Sequence, residues 1–123
     1  MPSLGAPVSF LATANPDKSR HFYEAVLGLT CQSEDSFALV FKLEESTLRV
    51  QKVEAVPKVN HTVLGWDVAN IEDCVKELTR KGVSFERYAQ LPQNELGIWP
   101  SPSGAQIAWF KDPDGNILSV TQY

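Results

Sequence analysis

Gln106-Ile-Ala-Trp-Phe-Lys-Asp-Pro-Asp-Gly-Asn-Ile-Leu-Ser-Val-Thr-Gln122 sets two short apolar runs on either side of Asp112-Pro113-Asp114-Gly115-Asn116. Proline presets φ for a turn, Gly115 enters positive φ without strain, and Asp and Asn side chains bond their own backbone. The stretch reads as a tight hairpin. An acidic turn can also mark a calcium loop, but the spaced oxygen ligands and distal glutamate of such a loop are missing.

Upstream of the hairpin one pattern occurs twice. Pro7 to Ala14 is an apolar strand, and Asn15-Pro16 supplies a cap followed by the proline welcome at a first helical position. Phe22, Ala25, Val26 and Leu29 carry the spacing of one buried helical face, and Gly28 stops the helix. Leu29–Gln32, Ser36–Leu43 and Ser46–Val53 follow as strands, with Glu34-Asp35 and Glu44-Glu45 in the turns. After a connector carrying Pro57, His61–Val68 is again a strand and Asn70 again a cap. Ile71, Cys74, Val75 and Leu78 again form a face, and Gly82 is again the stop. On the outer side Glu72 stands four before Lys76 and Glu77 four before Lys81, each pair worth a few tenths of a kcal/mol. Val83–Tyr88 is expected as the next strand, followed by a loop and the terminal hairpin.

The caps lie 55 residues apart and the stop glycines 54, so one order of elements recurs at one offset. The expected fold is α+β: two tandem β-α-β-β-β modules forming a curved, cup-shaped mixed sheet. Residues 1–123 make a single domain, with module one at about 5–54 and module two at about 60–123. A half this small cannot bury both faces of its sheet alone, and two curved half-sheets enclose a concave space suited to a small ligand.

Composition excludes several function classes. The net charge is −4 with no Lys/Arg cluster, which leaves no footprint for nucleic acid or anionic lipid. No apolar run approaches a bilayer span, and no charged-then-apolar leader opens the chain. The two cysteines, Cys31 and Cys74, stand far apart without nearby ligand partners, as expected for reduced packing residues of a cytoplasmic protein.

Asn15-Pro-Asp-Lys-Ser-Arg-His-Phe-Tyr-Glu-Ala-Val-Leu-Gly-Leu29 and Lys111-Asp-Pro-Asp-Gly-Asn-Ile-Leu118 resemble the first-helix and last-hairpin signatures of the vicinal oxygen chelate superfamily. That family includes glyoxalase, bleomycin-resistance proteins and extradiol dioxygenases, so the resemblance implies the fold while leaving the reaction open. In its metal enzymes His, Gln or Glu ligands come from the first and last strand of each half. Carried over by position, those places hold Val8, Val63, Arg49 and Ser119. Valine cannot ligate, serine is a poor neutral ligand and arginine repels a cation. The expected cofactor is therefore none, with a divalent metal as the alternative. A shift along the strands would bring in His61 and Gln51, with Glu95 adding a carboxylate. His21, beside Phe22, reads as a surface residue.

Strand alternation sorts the side chains. Leu64, Trp66 and Val68 are expected against the helix, leaving Val63, Gly65 and Asp67 toward the cup. Val8, Phe10 and Ala12 are the first-half equivalents. Ile107 and Trp109 share the cup side with Ile117 and Ser119, while Phe110 packs under the helix. Arg49 and Gln51 share one face, and two readings of Arg49 stay open: a guanidinium holding a ligand's carboxylate or phosphate, or a rim residue paired with an acidic turn. Tyr88–Gly104 is the longest irregular segment, in which Trp99 covers either the cup, a partner or the core. The ligand-binding candidates are Phe10, Arg49, Gln51, Val63, Trp99, Trp109 and Ser119.

The functional expectation is a binding protein of the glyoxalase and bleomycin-resistance type, holding a small aromatic or anionic molecule. A homodimer is implied by the resemblance alone. The rival is an enzyme: a metal-dependent lyase or dioxygenase, or a metal-free isomerase or lyase using Glu95, Asp67 or His61 as base. Two histidines do not assemble a nucleophilic triad, which disfavours hydrolysis.

Overall fold

The computed structural model describes residues 2–123, which separate into one compact unit ending at Pro57 and a second running Lys58–Tyr123. In the first unit β1 (Val8–Thr13) leads to α1 (Pro16–His21), then β2 (Thr30–Glu34), β3 (Ala38–Lys42) and β4 (Thr47–Lys52). The sheet order is β1-β4-β3-β2, with β1 parallel to β4 and the other pairs antiparallel. In the second unit β5 (Thr62–Asp67), α2 (Ile71–Arg80), β6 (Trp99–Pro100), β7 (Gln106–Lys111) and β8 (Ile117–Gln122) give β5-β8-β7-β6, with β5 parallel to β8. The same order in both halves is the α+β doubling that the caps and stops imply.

Both caps act as their chemistry requires. Asn15 accepts from the Lys18 N–H at 3.3 Å with Pro16 at the first helical position, and Asn70 accepts from the Asp73 N–H at 3.1 Å. The Ile71 N–H donates to the Gln122 side chain at 2.9 Å, tying the start of α2 to β8. Gly28 and Gly82 end their helices at φ of 77° and 98°. No described helix is long and apolar enough to cross a membrane.

The first helix departs from the expected spacing. Beyond His21 the chain widens into a π-helical turn, Phe22–Val26, which rotates the following residues around the axis. Ala25 is consequently exposed, and Tyr23 replaces it as a fully buried centre. The Tyr23 ring meets Phe22 at 5.2 Å and Phe41 at 5.5 Å, and Leu39, Leu48 and Val50 of the same unit are fully buried. In the second helix Ile71, Val75 and Leu78 are buried and Cys74 half-buried, as their spacing requires. Glu77 pairs with Arg80, three residues on.

Two further corrections fall in the second unit. Val83–Tyr88 is not a strand: it meets β7 through one backbone bond, Glu86 N–H to the Trp109 carbonyl at 2.8 Å. The edge position of the sheet belongs instead to Trp99–Pro100, inside the segment expected to be irregular. Gly82 turns the chain so that Phe85 rather than a full strand packs on the core, its ring 5.4 Å from Phe110.

The terminal turn is closed by Asp112. Its carboxylate accepts from the Asp114 and Asn116 N–H groups, both at 2.9 Å, and from the Asn116 side-chain amide at 2.8 Å. Gly115 takes φ of 86° between them.

Candidate functional site

In the first unit, β1 and β4 expose one row of side chains and bury the other. Leu11, Val50 and Leu39 are register partners in the buried row. In the other row Phe10 and Val40 flank Arg49, and Ala12 stands beside Gln51. Phe10 is 55% exposed, Arg49 half-buried and Gln51 exposed. The Asp35 carboxyl lies below the usual range mainly because it accepts the Phe37 and Ala38 N–H groups, with smaller contributions from the charges of Arg49 and Lys52. An acidic turn residue thus does feel Arg49. Nearby, Glu34 receives Lys52 at 2.8 Å and Arg20 at 2.9 Å, which together hold its carboxyl below the usual range.

In the second unit, buried Ala108, Phe110, Leu118 and Val120 line the face toward α2. The opposite face carries Trp109 against Ser119 and Ile107 against Thr121, with Gly65 beside Ser119. Ser119 is buried, and a Cβ added to Gly65 would lie 2.6 Å from its Oγ, so any side chain there requires that hydroxyl to move. Val63 falls in the irregular register between Thr62 and Leu64 and is exposed. Trp99 lies on β6 with its ring 5.9 Å from Trp109.

On this face a groove of about 470 Å³ opens, lined by Asn60, His61, Thr62, Glu86, Tyr88, Gln90, Leu91, Trp109, Lys111 and Ile117. Of the seven ligand-binding candidates only Trp109 is among its lining residues, and His61, the candidate ligand and base, joins it there. The Trp109 indole N–H donates to Thr62 Oγ1 at 3.1 Å, and Tyr88 stands perpendicular to the indole at 5.5 Å. Lys111 Nζ and a Glu86 carboxylate oxygen lie 3.5 Å apart. Burial, then the charge of Glu86, pushes the Tyr88 phenol above its ordinary range, with Lys111 opposing, so Tyr88 stays a hydrogen-bond donor at neutral pH.

Gln93 holds this wall together. Its carbonyl accepts the Tyr88 N–H at 2.7 Å, and its amide donates to the Glu86 and Gly97 carbonyls, both at 2.8 Å. Arg87 adds bonds to the Asn94 and Glu95 carbonyls. The start of the segment expected to be irregular is therefore a stapled wall. Strand alternation continued by two residues from Trp109 puts Lys111 on the same face, a signal present in the sequence. Glu86, Tyr88, Gln90 and Gln93 had no such signal.

The four positions carried over by the resemblance offer a metal no strong donor. The family's ligand positions hold two hydrocarbons, a cation and a hydroxyl, and among the described residues no three His, Cys, Asp or Glu side chains gather. His61 reaches the groove, where Glu86 is the one carboxylate. Glu95 lines a separate hollow of about 340 Å³ with Glu72 and Lys76. Asp67 and His21 are exposed, and Cys31 and Cys74 are free and half-buried.

Comparison with known proteins gives a consistent picture. The family model described as Glyoxalase/Bleomycin resistance protein/Dioxygenase superfamily matches residues 6–120. Among solved structures, an integron cassette protein from the mobile metagenome of the Halifax Harbour sewage outfall is 23% identical with a TM-score of 0.72, over 97% of this chain and 98% of its own. TnmS3, an antibiotic-binding protein from a Streptomyces species, is 16% identical with a TM-score of 0.73, over 99% and 98%. Lactoylglutathione lyase from Agrobacterium tumefaciens is also 16% identical at 0.73, over 99% and 96%. At these identities the likeness is one of fold. A search of the curated proteins returns no match.

Proposed function

The chain belongs to the glyoxalase/bleomycin resistance protein/dioxygenase superfamily, and from that premise we propose that it binds a small aromatic molecule without a resident metal. The observation that carries the reading is the groove of about 470 Å³ whose floor is Trp109 with Tyr88 set perpendicular to it. Its size suits a small organic ligand, and its rings offer a face and an edge to a planar one. TnmS3, an antibiotic-binding protein, and lactoylglutathione lyase share the fold at equal identity, so it is the groove and not the neighbours that favours a binding role. The absence of a fitting donor set at the family's ligand positions supports the metal-free form. The pairing of copies that the family resemblance implies is retained as part of the proposal, and sedimentation equilibrium tests it.

The binding test is a titration of intrinsic tryptophan fluorescence with planar aromatic compounds, alongside thermal shift, before and after addition of divalent metal. Saturable quenching with a raised melting temperature is expected, unchanged by metal. Trp109→Ala is expected to weaken binding about tenfold, the loss of one well-stacked aromatic contact. A protein that purifies with stoichiometric metal, or that responds to no aromatic compound without it, refutes the reading.

A further inference from the structure

The rim of the groove narrows what the ligand is. We propose that it is a neutral planar heterocycle with a hydrogen-bond donor and acceptor side by side on one edge, as in a lactam or cyclic imide. This deepens the small-molecule reading and rests on it.

Lys111 projects from β7 on the side of Trp109, two residues away, and the Glu86 backbone is pinned to that same Trp109 carbonyl at 2.8 Å. An ammonium and a carboxylate are therefore held on fixed backbone beside the indole. Their 3.5 Å separation is longer than a tight charge-assisted bond. The ammonium has three donors and the carboxylate about four acceptor sites, so neither is used up by the other. An edge carrying one donor and one acceptor meets both at once. A charged ligand does not gain in the same way: what it gains from one member of the pair it loses against the other, and both members are open enough to solvent for screening to weaken either attraction.

The remaining lining agrees. The Tyr88 phenol is a donor, and Gln90 and Asn60 carry amides that both donate and accept. The indole N–H is already committed to Thr62, so Trp109 presents its ring face rather than a polar edge. Leu91 and Ile117 complete an apolar floor for a flat molecule. Gln93 fixes Glu86 and Tyr88 relative to each other, which preorganises the edge contacts.

Three probes sharing one bicyclic frame test the assignment by fluorescence titration and calorimetry: carbostyril as the neutral lactam, quinaldate as the anion and N-methylquinolinium as the cation. Carbostyril is expected to bind more tightly than either ion, by about tenfold, the worth of one hydrogen bond to a charged group. Lys111→Met, which leaves Glu86 alone, is expected to move the cation to the top of the order, and Glu86→Gln to move the anion there. Circular dichroism of both variants checks that they fold. Either ion matching carbostyril on the unmodified protein overturns the assignment, as does an order that neither variant changes. Failure of all three probes to bind removes the small-molecule reading with it, whereas an ion-first order removes this assignment alone.

Discussion

Replacing Gly65 by alanine would set a methyl carbon 2.6 Å from the Ser119 hydroxyl oxygen, closer than real side-chain carbons approach. Two opposing effects decide the outcome. Alanine in a strand interior ordinarily stabilises by about 0.5–1 kcal/mol over glycine, because glycine loses more backbone freedom on folding. Forcing a carbon into a filled site costs about 1–3 kcal/mol. Gly65→Ala is thus expected to destabilise by about 1 kcal/mol net, near 4 °C in melting temperature for a chain of this size. In a Ser119→Ala background the oxygen is gone and the next neighbour, the residue-119 carbonyl at 3.4 Å, is in ordinary contact. There the same substitution is expected to stabilise by about 0.5–1 kcal/mol. Urea unfolding of the four proteins of this cycle reads the reversal of sign directly. If Gly65→Ala stabilises in both backgrounds, Ser119 is free to turn aside, and the close packing on this face of the second sheet is not what holds Gly65.

Other perturbations probe the remaining supports. Asp112→Ala removes the acceptor for three bonds closing the terminal turn and is expected to cost about 2–4 kcal/mol, with no loss on chemical denaturation counting against the turn's role. Gln93→Ala is expected to destabilise by about 1–2 kcal/mol, to speed hydrogen exchange of the Tyr88 amide, and to weaken aromatic ligands in the groove; unchanged exchange would show that the wall does not depend on it. Asn70→Ala is expected to cost about 1 kcal/mol through loss of the α2 cap, measured by thermal unfolding. Lys52 and then Arg20 lower the Glu34 carboxyl in the folded state, so its contribution is present above the ordinary carboxylate range and is lost as pH falls through the lowered value. Glu34→Gln is accordingly expected to flatten the acid limb of stability against pH, and an unaltered acid limb would show that the exposed network adds nothing.

How far the sequence discloses the fold follows from which interactions are local. Caps, stop glycines and the Asp112–Asn116 turn are decided within a few residues, and each acts where its chemistry puts it. The π-helical turn at Phe22–Val26 is different. It accompanies the packing of Tyr23 beside Phe41, a contact between residues eighteen apart in sequence that helical spacing cannot anticipate. The edge of the second sheet misled for a related reason. Val83–Tyr88 has the composition of a strand, yet Trp99–Pro100 takes the edge, and proline is tolerated there because an edge strand has one unpaired side.

For the groove, the same distinction separates floor from rim. Alternation along β7 and β8 is a local rule, so the side of the sheet carrying Trp109 and Ser119 was legible, and Lys111 was within reach of the same rule. Glu86 and Tyr88 arrive by another route. Their segment lacks a ladder, and its position is fixed by one backbone bond to Trp109 and by the Gln93 side chain bonding the chain seven residues back. No periodicity encodes a staple of that kind. The floor therefore read as an apolar hollow, while the rim supplies the Glu86–Lys111 pair that gives the hollow its polar character. Since a binding site discriminates through its polar groups more than through its apolar area, the proposed selectivity rests on Glu86 and Tyr88, the lining residues hardest to read from the sequence.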